Sequence, residues 1–246
     1  SAATGTKRAK TYVTGSYYRN ANIVKEDLSE RYYVRMNNTY TPRDNFKLGL
    51  SLGAILTDDD MFQIGHTYLD IQPIFSPYLE DGKTYRLYNN VWDDVKGTWV
   101  MQKFNANKLP EREYNQNNQK SVKTTLNVDM DWEIIRGLKV TSTFEIDYQH
   151  SHEDVYNSRK TLSGINDSRQ PRGYSSKYEA SYTNWTNVNK ISYEKAFGKH
   201  KLMAYAGLEM HEVLNKSTSA SGNGFMSDNV REIQYADEST RKGSSS

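Results

Sequence analysis

From Ser121 to Gln149 the chain alternates apolar and polar residues almost without a break. Val122, Thr124, Leu126, Val128, Met130, Trp132 and Ile134 take one set of positions, and Lys123, Thr125, Asn127, Asp129, Asp131 and Glu133 the other. After Arg136-Gly137 the pattern resumes, with Leu138, Val140, Ser142, Phe144, Ile146 and Tyr148 set against Lys139, Thr141, Thr143, Glu145, Asp147 and Gln149. Successive side chains of a strand leave on opposite faces, so this pattern predicts a β-hairpin with one apolar and one charged face. Similar alternation predicts strands over 10–20, 31–41 and 46–56, the last with Leu48, Leu50 and Leu52 on its apolar face, and over 178–197 and 201–216. In the 178–197 strand the period slips between Tyr182 and Ile191, which predicts a β-bulge. Seven long antiparallel strands result.

The connections between them differ in length by end. Those at 42–45, 136–137 and 198–200 are short, whereas those at 21–30, 58–120, 153–177 and beyond 217 are long, and the two kinds alternate. All short turns therefore fall at one end of the sheet and all long loops at the other, the asymmetry of transmembrane β-barrels. The strands also exceed the ~5–6 residues usual in soluble sheets and meet the ~9–11 tilted residues that cross a bilayer. Tyr40, Phe46, Trp132 and Phe197 gather near the short turns, and Tyr17, Tyr18, Tyr32 and Tyr148 near the loops, as two interfacial aromatic girdles would. The expected fold is all-β: an antiparallel up-and-down transmembrane β-barrel segment, unclosed, with long extracellular loops at 58–120 and 153–177. Leu48, Leu50, Leu52, Leu126, Val128, Met130, Phe144 and Ile146 would then face lipid, and Asp129, Asp131, Glu133, Glu145 and Asp147 would line a polar lumen.

Composition narrows the partners. The chain has 246 residues, only 36% of them hydrophobic, with 32 basic and 30 acidic residues. A near-neutral balance argues against nucleic acid as a partner. No cysteine is present, so disulfides and zinc–cysteine sites are excluded. The first ten residues lack the apolar stretch of a signal peptide, and no apolar run reaches the ~20 residues of a membrane helix.

Candidate chemistry is sparse. Asp129, Asp131, Glu133, Glu145 and Asp147 offer carboxylate pairs of the kind a glycosidase uses, but alternating charge on a strand is also what a lumen requires. The run His150-Ser151-His152-Glu153-Asp154 has metal-ligating residue types without a third ligand at metal-site spacing. Asp58-Asp59-Asp60 lacks the ligand spacing and glycine of an EF-hand. His200 reads as a structural residue of a short turn. No nucleophile elbow, phosphate loop or dinucleotide fingerprint occurs, and neither enzymatic activity nor a cofactor or metal is expected. Substrate contact would come from the aromatics of the largest loop, Tyr68, Tyr78, Tyr85, Tyr88, Trp92 and Trp99, unless these residues only pack that loop against itself.

Several segments carry a resemblance. YVTGSYYRNANIVKEDLSERYYVRMNNTYTPRDNFKLGLSL at 12–52, PIFSPYLEDGK at 73–83, RGLKV at 136–140 and ISYEKAFGKHKLMAYAGLE at 191–209 resemble, in this order, the barrel of SusC/RagA-type TonB-linked outer-membrane proteins. The likeness covers about residues 10–238. It implies a TonB-dependent receptor of the outer membrane of a Bacteroidetes-type Gram-negative bacterium, importing oligosaccharides or peptides. Implied partners are a SusD-like surface lipoprotein and, through an N-terminal region that nothing here matches, the TonB complex. Barrels of this kind close with about 22 strands around a plug, so the whole of 1–246 is expected to be a partial barrel domain without plug. The competing expectation is a soluble β-sandwich carbohydrate-binding module, with the same apolar face packed on a second sheet.

Overall fold

The computed structural model describes residues 1–21, 28–61, 76–104 and 107–246. Its main body is one antiparallel sheet of nine strands in the order β1 (Ala2–Gly5), β2 (Ala9–Ala21), β3 (Leu28–Arg43), β4 (Phe46–Asp60), β7 (Gln116–Ile135), β8 (Leu138–Asn157), β9 (Tyr174–Phe197), β10 (His200–Asn223) and β11 (Lys242–Ser245). Seven of these are long, as expected; β1 and β11 are four-residue edge strands. No pairing joins the two edges, so the sheet is unclosed. Strands β5 (Tyr88–Asp93) and β6 (Thr98–Lys103) form a separate hairpin inside the largest excursion, followed by a short helix, α1 (Leu109–Tyr114).

The register assembles one apolar face. Leu48 lies opposite Met130, Leu50 opposite Val128 and Leu52 opposite Leu126, while Leu126 faces Ile146 and Val128 faces Phe144. At its margins Tyr17 packs on Tyr32 at 4.9 Å and Phe46 meets Trp132 edge-on at 6.2 Å. Tyr18 alternates onto the opposite, polar face, opposite Arg31. Among the described residues the apolar face meets no second layer: Leu52 is 41% exposed and Leu208 60%. Among the described residues the buried apolar cluster lies instead at the loop end, where Tyr156 packs edge-on against Phe225 at 5.8 Å beside Ala236. The sandwich alternative therefore lacks its second sheet among the described residues.

The bulge expected in the sixth long segment is a correction. Strand β9 pairs with β8 and β10 without a register shift from 174 to 197. The break in alternation comes from Asn187 and Asn189, which sit on the apolar face and satisfy each other. Ser142 Oγ donates to Asn189 Oδ1 at 2.8 Å, the Asn189 amide donates to Asn187, and Asn187 Nδ2 donates to the Thr143 carbonyl at 3.2 Å. Asn38, also on this face, donates to Thr11 Oγ1 at 2.7 Å. Polar side chains in an apolar layer persist when bonded in this way. Irregularities occur beside two short turns, between Tyr40 and Arg43 and between Glu133 and Ile135.

The turns are staggered. One row of paired residues runs Ala9, Tyr40, Leu48, Met130, Ser142, Asn189, Leu208. It starts where β2 leaves its turn, yet on β10 it lies eight residues beyond His200, where that strand leaves its own. Eight residues rise about 27 Å and the six intervening strand spacings span about 29 Å. The line of turns therefore crosses the ladder at roughly 40°, which is the tilt of strands in closed barrels. If all short turns lie on one membrane surface, the strands must lean by that angle.

At the 136–137 turn, Gly137 has φ of +88°, and a Cβ there would fall 2.2 Å from the Glu194 carbonyl. The same residue's carbonyl accepts from the Glu194 N–H at 2.7 Å, so the turn is locked to the next hairpin.

Replacing Leu126 with Arg places a charge in the centre of the apolar face. In the full-length protein the variant should lose roughly 2–4 kcal/mol of barrel stability. Denaturant titration of folding into lipid vesicles measures it, and an unchanged midpoint would contradict the lipid assignment.

Candidate functional site

The polar face carries the five carboxylates expected to line a lumen. Asp129, Asp131, Glu145 and Asp147 share one face by register. Asp129 accepts from Thr143 Oγ1 at 2.9 Å, and Asp131 pairs with Lys139 at 3.0 Å. Glu133, paired with Lys139, lies at the turn end of the same face, where its carboxylate accepts the Gly137 N–H at 3.0 Å. Across the ladder, β4 presents Gly49, Ser51 and Gly53 opposite Asp129, Asn127 and Thr125. A Cβ at Gly53 would come within 2.8 Å of Thr125 Oγ1, so the small residues keep this strip low. Above it opens a hollow of about 450 Å³ whose walls include Arg35, Lys123, Asn127, Asp129, Glu145 and Asp147. Arg35 is held in it by Ser51 Oγ at 3.2 Å and Asn37 Oδ1 at 3.3 Å. The wall therefore offers both signs of charge to a polar solute.

The loop aromatics divide into two groups. Tyr78 and Tyr85 stack at 5.1 Å and Tyr114 meets Tyr85 edge-on at 5.9 Å. The Tyr85 hydroxyl bonds to the Glu113 carboxylate, and this bond, with burial, pushes its phenol well above the ordinary range. Tyr88 lies under the Arg169 guanidinium at 5.4 Å. Arg169 itself has φ of 61° and donates to the Met101 carbonyl at 3.1 Å, tying the loop before β9 to the β5–β6 hairpin. These three tyrosines pack the loop. Trp92 and Trp99 form a cross-strand pair on the hairpin, edge-on at 5.7 Å, and stay 48% and 66% exposed. Tyr68 lies outside the described residues.

Sequence reasoning passed over two residues of the same excursion. Asn107 is 1% exposed, and its amide donates to the carbonyls of Pro77 at 2.8 Å and Arg86 at 2.9 Å, closing the loop that carries the tyrosines. Glu111, on α1, is 7% exposed, and burial pushes its carboxyl above the ordinary range. Nothing in the polar run that contains it separates it from its neighbours; only the packing of α1 does.

The metal-like runs are engaged in ordinary pairs. His152 sits between Asp154 at 2.8 Å and Glu179 at 3.2 Å, and Lys120 pairs with Asp58 at 3.0 Å while Asn118 donates to Asp60 at 2.6 Å. No group of three or more metal-ligating side chains is assembled among the described residues.

No family model matches the chain. A search of curated proteins finds TonB-dependent receptor P3 of Formosa agariphila, 24% identical over 92% of this chain and 22% of that protein. Among solved structures, the RagAB peptide transporter matches with a TM-score of 0.72, 16% identity and 98% of this chain covered, and the RagAB peptide importer in its closed-closed state matches with a TM-score of 0.73 and 16% identity. The structural likeness is one of fold. The chain spans about a quarter of the length of these proteins, 22% and 27%. Together the two searches bear out the resemblance to a SusC/RagA-type TonB-linked outer-membrane protein.

Asn107→Ala should open the 76–104 loop, because two backbone carbonyls lose their buried donor at about 1–3 kcal/mol. Hydrogen exchange should rise there while the protection of β7 to β9 is unchanged; a uniform change across the sheet would contradict the local role.

Proposed function

We propose that this chain is a wall and mouth segment of an outer-membrane TonB-dependent transporter of SusC type, not an enzyme. The cargo proposed is an oligosaccharide or peptide. The observation that carries this reading is the staggered ladder. The short turns step along the ladder at the angle by which a barrel's strands tilt, no described residue covers the apolar face, and the long connections lie at one end. In that setting the hollow around Arg35, Asp129, Glu145 and Asp147 faces the lumen, and the loops face the cell exterior. Trp92 and Trp99 are the proposed contacts to cargo, since their exposed faces can stack on sugar rings or apolar side chains. A SusD-like surface lipoprotein is the proposed partner at the loop end and the TonB complex the proposed energy source. RagAB, whose fold this chain shares in part, is a peptide transporter, so peptides are the first cargo to test.

In the native cell, deletion of the full-length gene should abolish energy-dependent uptake of labelled peptide or oligosaccharide. Replacing Trp92 and Trp99 together with Ala should lower uptake about tenfold at unchanged surface level, the scale of two aromatic contacts. Undiminished uptake of both cargo classes in the deletion strain would overturn the assignment.

A further inference from the structure

At the loop end of the polar face, α1 and the adjoining ends of β7 and β8 enclose a cavity of about 380 Å³. Asn117, Glu153 and Val155 in its wall share the face of Asp129 and Asp147, so the cavity opens at the mouth of the surface described above. We propose that it binds an ammonium or guanidinium group of the cargo, with Glu111 as the principal acceptor. This rests on the transporter reading and narrows it to peptides bearing basic side chains.

Two acceptors are left open in the wall. Glu111 Oε2 and Asn117 Oδ1 are buried and have no hydrogen-bond partner among the described residues. The neighbouring Asn115, by contrast, is spent on structure: its amide donates to Ser163 Oγ at 2.9 Å, and its oxygen accepts from the Ser158 N–H at 2.8 Å and from Thr161 Oγ1 at 3.0 Å. That network fixes the 158–164 turn against α1 and leaves Glu111 inside. A carboxylate with one oxygen unpaired in a buried site is costly, and a cation that fills the site offsets the cost. Glu153 adds a second negative charge against one positive charge in the wall, Lys108.

The shape selects an organic cation. A metal ion would need several oxygens converging at ~2.3–2.6 Å, whereas this space is many times an ion's volume. Met61 and Val155 give it an apolar side suited to the methylene stem of a lysine or arginine.

The test uses the full-length transporter purified in detergent, titrated calorimetrically with a synthetic lysine-containing peptide and with its Nε-acetylated twin. The free lysine peptide should bind about tenfold more tightly, the scale of a charged hydrogen bond. Glu111→Gln should bring the two peptides level, and Glu153→Gln should narrow the difference about threefold. Ligand-free Glu111→Gln should melt no lower than the parent, because it removes a buried charge; a fall in melting temperature would point to a structural role and overturn the proposal. Equal binding of both peptides by the parent overturns this inference and leaves the transporter reading standing. Binding of neither overturns the inference together with peptide import. Calcium binding that Glu111→Gln removes, without any peptide preference, overturns it in favour of a metal site.

Discussion

Everything in this structure follows from one constraint on the backbone. In hydrocarbon no water is available to an N–H or C=O group, so each must find its partner within the protein. The five inner long strands, β3, β4, β7, β8 and β9, pair on both sides along most of their length, while β2 and β10 pair fully on their inner side and over four residues with the edge strands β1 and β11 on the other. Once the ladder is continuous, side chains on its outer face need only be compatible with lipid. That is why the apolar layer tolerates Asn38, Asn187 and Asn189: each is bonded to a neighbour on the sheet, and none interrupts the pairing.

The stagger of the turns is the second consequence. A ladder of perpendicular rows would bring its turns out at different depths unless the strands leaned, and the eight-residue offset between β2 and β10 sets how far. The same ladder keeps the polar residues on one face and gathers the long connections at a single rim. There the chain changes its means of stabilisation. Below the rim the sheet has little buried core of its own; above it, Tyr156, Phe225, Asn107 and the stacked tyrosines form small protein-like cores with buried polar anchors. The described parts of the loops are thus packed like a soluble domain, on a sheet whose apolar face no described residue covers.

Much of the fold was legible in the sequence, and the errors have physical causes. Alternation located the strands because one face of the sheet is apolar and the other polar. It ended them too early at the loop side: β8 continues through His150, His152 and Asp154 to Asn157, and β9 begins at Tyr174 rather than Tyr178. Backbone pairing carries on past the apolar stretch, where both faces carry polar residues and the sequence keeps no period. Asn187 and Asn189 misled in the opposite sense, since a polar residue satisfied across strands looks in sequence like a slip of register. The hairpin β5–β6 was hidden because its alternation is only six residues long on each side and its two tryptophans meet across strands.

The candidate site was less legible, for a reason that applies to loop sites in general. A strand fixes a side chain's direction by parity, so Asp129 and Asp147 could be assigned a common face from their numbers alone. A loop has no such rule. Tyr78, Tyr85, Tyr88, Trp92 and Trp99 are alike as a list of aromatics, yet packing divides them into three that hold the loop together and two that remain exposed. Glu111 shows the same effect for charge. Its run, Leu109 to Tyr114, is as polar as any exposed turn, and only the closure of Asn115 onto the 158–164 turn takes its carboxylate out of water. Burial of that kind is set by contacts between segments distant in sequence, and an acid so placed stays costly until a charge from outside the fold completes it.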